Sequence, residues 1–330
     1  MMNSKEIVAR VPTVVKRRPK WKRIGQWLLA LLVIWLIGDW GYSQYVDWRI
    51  ERWAESVPWD ADGLAPGAKE LDLGEGSVAL LCVHGFSDSP QMYRKLAPAW
   101  ADQGYHCRAI RLPGFGKDVE SYADARVEQW CEKIVSQVAE LRGEHDQVWI
   151  VGHSLGGALT IHHAIEHPSG MDPVACVDGV VLLAPAVDVS NRRSPLLPTR
   201  FWHEFSKYVL PFSTVSCSPF EMDAKDPAER EREHRNIFTP RSVVDNTFEI
   251  IDHNRGRAGE IEIPCLMMVA VDDWVVDASA AEQYFSELGS ESKKLVRLKE
   301  SGHMAPVDYE WSFIAGEVGD FISSLPTPAE

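Results

Sequence analysis

A single serine stands between glycines in Gly152-His153-Ser154-Leu155-Gly156, where an apolar run, Val148 to Val151, passes into an Ala/Leu/Ile-rich segment. A serine hydroxyl is a weak nucleophile until a neighbouring base takes its proton. The pattern G-x-S-x-G on a strand-to-helix turn would lift that hydroxyl above a sheet, with glycines where the turn is crowded. The helix beginning at Leu155 would aim its first N–H groups at the place where an oxyanion forms. A second donor is expected at Phe86. Leu80-Leu81-Cys82-Val83-His84-Gly85-Phe86 reads as a strand ending in His-Gly and an apolar residue. The expected oxyanion hole is the backbone N–H pair of Phe86 and Leu155, with His84 a supporting ring rather than a base.

The base and its orienting acid should follow the serine in the chain, in the order Ser, acid, His. Among the later histidines, His162 and His163 lie on the helix after Ser154 and rotate away from the turn. His303, in Glu300-Ser301-Gly302-His303-Met304, falls between the last strand and the last helix. That is a loop at the carboxyl edge of the sheet, where open α/β sheets bind ligands. The acid belongs after the preceding strand, where Asp272 and Asp273 compete. Asp273 is favoured, because Ala270 then takes the glycine position of a G-x-x-D turn and only one of the two can face the imidazole. Asp188 is a remote third choice. Ser154, Asp273 and His303 would carry out two-step acyl transfer through an acyl-enzyme, with no metal or organic cofactor required.

These residues need a sheet to hold them. Short apolar runs at Ser77–Val83, His106–Ile110, Gln147–Val151, Gly179–Leu183, Cys265–Val271 and Lys294–Leu298 predict strands. Helical periodicity over Gln91–Gln103, Ala125–Arg142, Leu155–His167, Ala278–Leu288 and Trp311–Ser323 predicts the helices between them. Strands without a polar face, such as Val180 to Ala184, suit a mostly parallel sheet covered on both sides. Between Ala186 and about Ile263 no strand signal appears. That stretch reads as a mostly helical insertion over one edge of the sheet.

VHGFSDSP (Val83 to Pro90), RLPGFGKD (Arg111 to Asp118), GHSLGG (Gly152 to Gly157), VAVDDWVV (Val269 to Val276) and SGHMAP (Ser301 to Pro306) occur in an order and spacing that resembles the α/β-hydrolase superfamily. Within it they resemble the monoacylglycerol lipase and carboxylesterase branch, the serine aminopeptidase-like family. The resemblance implies an α/β-hydrolase fold over residues 68–330, with the insertion after the sixth strand, 186–263, serving as a cap over an acyl pocket. It also implies cleavage of carboxylic esters of lipophilic acyl groups. Three positions depart from the family: Arg111 and Phe115 stand where many relatives have Asp and His, and Ala270 stands at the usual glycine before the acid. Peptidase, amidase or thioesterase chemistry with the same triad is the alternative, and a catalytically silent binding protein is a third. Dehalogenase and epoxide hydrolase chemistry would need a carboxylate at position 154.

The chain has 330 residues and a formal net charge of −14. The charge is divided: residues 1–23 hold eight Lys/Arg and one Glu, so the rest is strongly acidic. An acidic body argues against nucleic-acid binding. The basic segment precedes Ile24 to Gly38, an apolar run flanked by Trp21 and Trp40. Trp21–Tyr42 reaches spanning length, which needs about 20 residues. The expected layout is a basic cytoplasmic tail (1–20), a transmembrane anchor (21–42), an amphipathic connector (43–67) and a catalytic domain on the non-cytoplasmic side. A cleaved signal peptide is the competing reading, but no small-residue cleavage site follows. The expected partners are an ester or lipid substrate and the bilayer. The six cysteines show neither CxxC nor zinc spacing, and Cys82 and Cys265 lie in apolar runs as small core residues.

Overall fold

Nearly every residue of the central strands is apolar, and this composition stays soluble only if both faces of the sheet are covered. The computed structural model describes residues 20–171, 173–194, 196–230 and 236–326. The strands are β1 (Leu71–Leu73), β2 (Val78–Val83), β3 (His106–Ile110), β4 (Gln147–His153), β5 (Gly179–Leu183), β6 (Val215–Cys217), β7 (Phe238–Pro240), β8 (Cys265–Ala270) and β9 (Lys293–Leu298). Seven of them form one sheet in the order β1-β3-β2-β4-β5-β8-β9. All its neighbours are parallel except β1, which runs antiparallel to β3. The helices are α1 (Lys20–Ser56), α2 (Leu96–Asp102), α3 (Val119–Ala123), α4 (Val127–Arg142), α5 (Leu155–Glu166), α6 (Thr199–Val209), α7 (Pro227–Arg230), α8 (Arg241–Asn254), α9 (Ala278–Ser286) and α10 (Trp311–Ser324).

Alternate strand residues feed two cores. Leu81, Val83, Ile150 and Met267 pack with α4, α5, α8 and α9 on one face. Leu80, Cys82, Trp149 and Met268 pack with α2 and α10 on the other. The close approach of β4 and β5 depends on Gly179, where an added Cβ would meet the Trp149 ring at 2.3 Å. All six cysteines are free.

The expected fold is present, with instructive differences. β1 was not foreseen, being three residues long and half exposed. The helix expected over Gln91–Gln103 is split into a 3-10 turn, Pro90–Tyr93, and α2. Pro98 has no N–H to donate and is tolerated only in a first turn, which α2 supplies by starting at Leu96. The insertion leaves after β5, the fifth strand in chain order, so the family's count runs one ahead here. It is not wholly helical: β6 and β7 form a short antiparallel pair, Val215 opposite Pro240 and Cys217 opposite Phe238. Strands of three residues are too short to leave a periodic signature. Its last helix, α8, is part of the sheet's helical layer. Val243, Ile250 and Ile251 lie in the main core, and Asn254 Nδ2 donates to Ala158 O of α5 at 2.8 Å.

At the N-terminus the expected span and connector are one helix. α1 runs for 37 residues and passes Tyr42 without a break. The basic tail up to Arg18 lies outside the described residues. Among those described, α1 is the one helix long and apolar enough to cross a membrane. Its second half is held against the insertion. Asp39, buried, accepts from Phe212 N at 2.9 Å and from the Ser213 hydroxyl. Trp35 Nε1 donates to Val209 O at 2.7 Å, and Val46, Ile50 and Trp53 pack around Phe238. The segment 35–42, expected inside the bilayer, therefore already has protein along one side.

Candidate active site

The turn at Ser154 is set by what surrounds it. Ser154 takes φ 55° and ψ −118°, a left-handed conformation that an L-residue adopts only under restraint. The restraint is visible: Ser154 N donates to Leu183 O of β5, and Ser154 O accepts from Ala186 N at 2.9 Å. The flanking glycines are steric necessities. A Cβ at Gly152 would meet Gly156 O at 2.4 Å, and one at Gly156 would meet Val83 O at 2.1 Å. Gly85 serves the same purpose from β2, since its Cβ would lie 2.9 Å from the Ser154 Cβ.

His303 and Asp273 meet Ser154 at the carboxyl edge of the sheet. His303 Nε2 is 2.9 Å from Ser154 Oγ, and Nδ1 is 2.8 Å from Asp273 Oδ2. With Nδ1–H donating to the carboxylate, Nε2 presents a lone pair to the hydroxyl. The other oxygen, Asp273 Oδ1, accepts from Val275 N at 2.7 Å and Val276 N at 2.8 Å. All three side chains are buried. Burial disfavours the imidazolium of His303, but the charge and hydrogen bond of Asp273, with Asp223 beyond, outweigh it and raise its pKa above 6.5. Burial likewise opposes the charge of Asp273, yet His303 and the two N–H groups hold its carboxyl below the usual range. The arrangement can move a proton from a hydroxyl to an imidazole and stabilise the resulting charge.

The rival aspartate points elsewhere: Asp272 is exposed and pairs with Arg192 at 2.8 Å. The Asp188 carboxylate accepts from Val189 N at 2.8 Å and pairs with Arg255 at 3.8 Å instead. Phe86 lines the cavity above Ser154, and Leu155 opens α5 directly after it. His84 is fully buried; Nδ1–H donates to Gly85 O at 3.0 Å and Nε2 accepts from Leu112 N at 3.1 Å. Burial lowers its pKa to about 4, so it stays neutral and ties the Gly85 loop to the loop after β3. In that second loop, the two departures from the family pattern are complementary. Arg111 Nη1 donates to Phe115 O at 3.1 Å, and the Phe115 ring packs against His84, Tyr122 and Trp130. His162 and His163 are directed away from the site, as expected; His163 Nε2 donates to Ala175 O at 2.8 Å.

Three supporting residues were not anticipated. His153, neutral with its pKa lowered to about 4 by burial, donates from Nε2 to His303 O at 2.8 Å. Asp223 Oδ2, from the insertion, accepts from Trp274 N at 2.8 Å and His303 N at 3.4 Å, bridging the loops that carry Asp273 and His303. Asp308, fully buried, accepts from Gly302 N, Lys225 N and Asp226 N. Gly302 allows this closure, since its Cβ would lie 2.6 Å from Asp223 O. The cavity over Ser154 combines apolar walls, Phe86, Met222, Ile237 and Val275, with Arg193 and Glu221.

A mostly parallel sheet of this order, a strained serine between β4 and α5, and an insertion after β5 define an α/β hydrolase. Residues 75–310 match the model of the serine aminopeptidase S33 family, and the chain belongs to that family. It is 27% identical over 248 residues to a thermostable monoacylglycerol lipase of Bacillus sp. (strain H-257), covering 75% of this chain and 91% of that one. It is 21% identical to a carboxylesterase of Bacillus subtilis (strain 168), covering 78% and 97%. Among solved structures, the monoacylglycerol lipase of Paleococcus ferrophilus superposes with a TM-score of 0.64 at 22% identity, covering 77% of this chain and 98% of that one. This last likeness is one of fold.

Proposed function

We propose that this chain is a membrane-anchored serine hydrolase that cleaves carboxylic esters of lipophilic acyl groups. The observation that carries the reading is the hydrogen-bonded line Asp273–His303–Ser154, with both contacts under 3 Å. His303 takes the proton of Ser154, which attacks the ester carbonyl. The N–H groups of Phe86 and Leu155 hold the oxyanion, and Asp273 orients and stabilises the imidazolium. The alcohol leaves with the proton from His303, and water, activated by the same imidazole, releases the acid. The relatives named as monoacylglycerol lipase and carboxylesterase support an ester as substrate. A cavity with apolar walls and charged groups beside the serine suits an acyl chain joined to a polar alcohol. Anchoring rests on the length and composition of α1, with residues 1–20 in the cytoplasm and the acidic body on the other side.

The test is hydrolysis of p-nitrophenyl esters of increasing acyl length by the full chain and by Ser154→Ala. The substitution is expected to lower kcat by about 10⁶, the order seen when such a serine is removed. Retained turnover would overturn the mechanism. Cleavage of aminoacyl arylamides with no ester turnover would move the assignment to the peptidase class.

A further inference from the structure

We propose that α6 is a second membrane contact: a helix lying in the bilayer interface with its aromatic face in the lipid, held at that depth by α1. The inference rests on the anchoring reading of α1 given above. α6 carries its residues the wrong way round for a soluble protein. Phe201, Phe205 and Tyr208 recur at helical spacing on the outward face, with Tyr208 83% exposed, and no residue of α6 is buried. Arg200, His203 and Lys207 turn inward instead, while Glu204 stays exposed beside the aromatics and pairs with Lys207 at 2.9 Å. Arg200 Nη1 pairs with Asp252 at 2.6 Å, and His203 and Lys207 both reach Asp245 of α8. A helix with charges satisfied against the body and aromatics facing out is built to lie with its apolar face in a headgroup region. Leu196, 99% exposed, and Phe212 flank the helix in the chain and are exposed as well.

The occupant is identified by what adjoins the patch. The C-terminal end of α6 meets α1 where the apolar run Ile24 to Gly38 ends: Trp35 Nε1 binds Val209 O, and Asp39 binds Phe212 N and Ser213. If the N-terminal half of α1 is in lipid, the apolar face of α6 continues the same surface at the level of the headgroups. Asp39 has its carboxylate satisfied by the insertion, so it can sit at this depth without facing hydrocarbon. The β6–β7 pair and the residues following α6 line the cavity over Ser154 through Ser218, Ile237 and Thr239. The site therefore opens beside the lipid surface.

The test places the photocrosslinking residue p-benzoylphenylalanine in the full chain at position 31, 205 or 292, reconstituted in vesicles of phosphatidylethanolamine and phosphatidylglycerol. Lipid adducts are expected at 31 on α1 and at 205 on α6. None is expected at 292, which is exposed at the opposite edge of the sheet. Adducts at 31 but not 205 would overturn the proposal and leave the anchor standing. No adduct at 31 would overturn the anchor itself. A protein–protein adduct at 205 would assign the face to a second copy and also overturn the proposal. As an activity readout, the double substitution Phe205→Ser/Tyr208→Ser should lower hydrolysis of a vesicle-embedded long-chain ester by about tenfold while leaving a short soluble ester unaffected. Equal loss on both substrates would count against the proposal.

Discussion

His303 sits in a balance that its pH profile should expose. In the proposed mechanism the neutral imidazole is the base, so activity should be lost as pH falls through its pKa. Asp273 raises that pKa above 6.5, and the acid limb of kcat/KM should therefore lie above 6.5. Asp273→Asn removes the charge that raises it; the limb should move to lower pH and kcat should fall by about 10⁴. Asp272→Asn removes only an exposed ion pair with Arg192 and should leave kcat/KM within about twofold. Equal effects of the two substitutions in steady-state kinetics would contradict the assignment. Ser154 and His303 were legible in the sequence because each is embedded in a local pattern tied to a strand end. The choice between Asp272 and Asp273 rested on one turn position, since adjacent residues past a strand differ only in direction. The bracing by His153, Asp223 and Asp308 was not legible: each partner lies far away in the chain, and no spacing rule connects them.

The elements that carry these residues depend on a few backbone contacts with no slack. Gly156→Ala would drive a Cβ into Val83 O, a backbone atom that cannot move aside. The unfolding temperature of the full chain in detergent should drop, corresponding to a loss of about 3 kcal/mol or more. Gly316 gives the contrast. It lies within α10 with open space around its Cα, so Gly316→Ala should raise stability by about 0.5–1 kcal/mol. Finding the same sign for both in thermal melts would show that local crowding is not what fixes these glycines. The long elements were readable because period and length agree over many residues. The elements missed outright were short: β1, β6, β7 and α3 each span three to five residues, too few for periodicity to separate from chance. α8 was misplaced for another reason: its apolar face looks the same whether it covers a cap or a sheet.

For the molecule as a whole, the proposed orientation rests on the division of charge. An alkaline phosphatase fused after Glu330, active only outside the cytoplasm, is expected to be active in a bacterial host. Activity confined to a cytoplasmic reporter would reverse the topology. The sequence marked the apolar candidate span and the acidic body separately, but not that they touch. The contacts of Asp39 and Trp35 with the insertion span more than 170 positions and follow only from the folded chain.

α1 runs as one unbroken helix from Lys20 to Ser56 and is bonded to the insertion partway along. With α1 in the bilayer as proposed, the hydrolase has no tether to swing on, and its reaction is confined to two dimensions. It should draw substrate by lateral diffusion from the adjoining leaflet alone, leaving the far leaflet untouched. Its rate should then follow the mole fraction of substrate within the surface, not the amount per volume of solution. Adding inert phospholipid at constant total substrate should slow turnover in proportion, and a rate blind to that dilution would mean that the site feeds from the water.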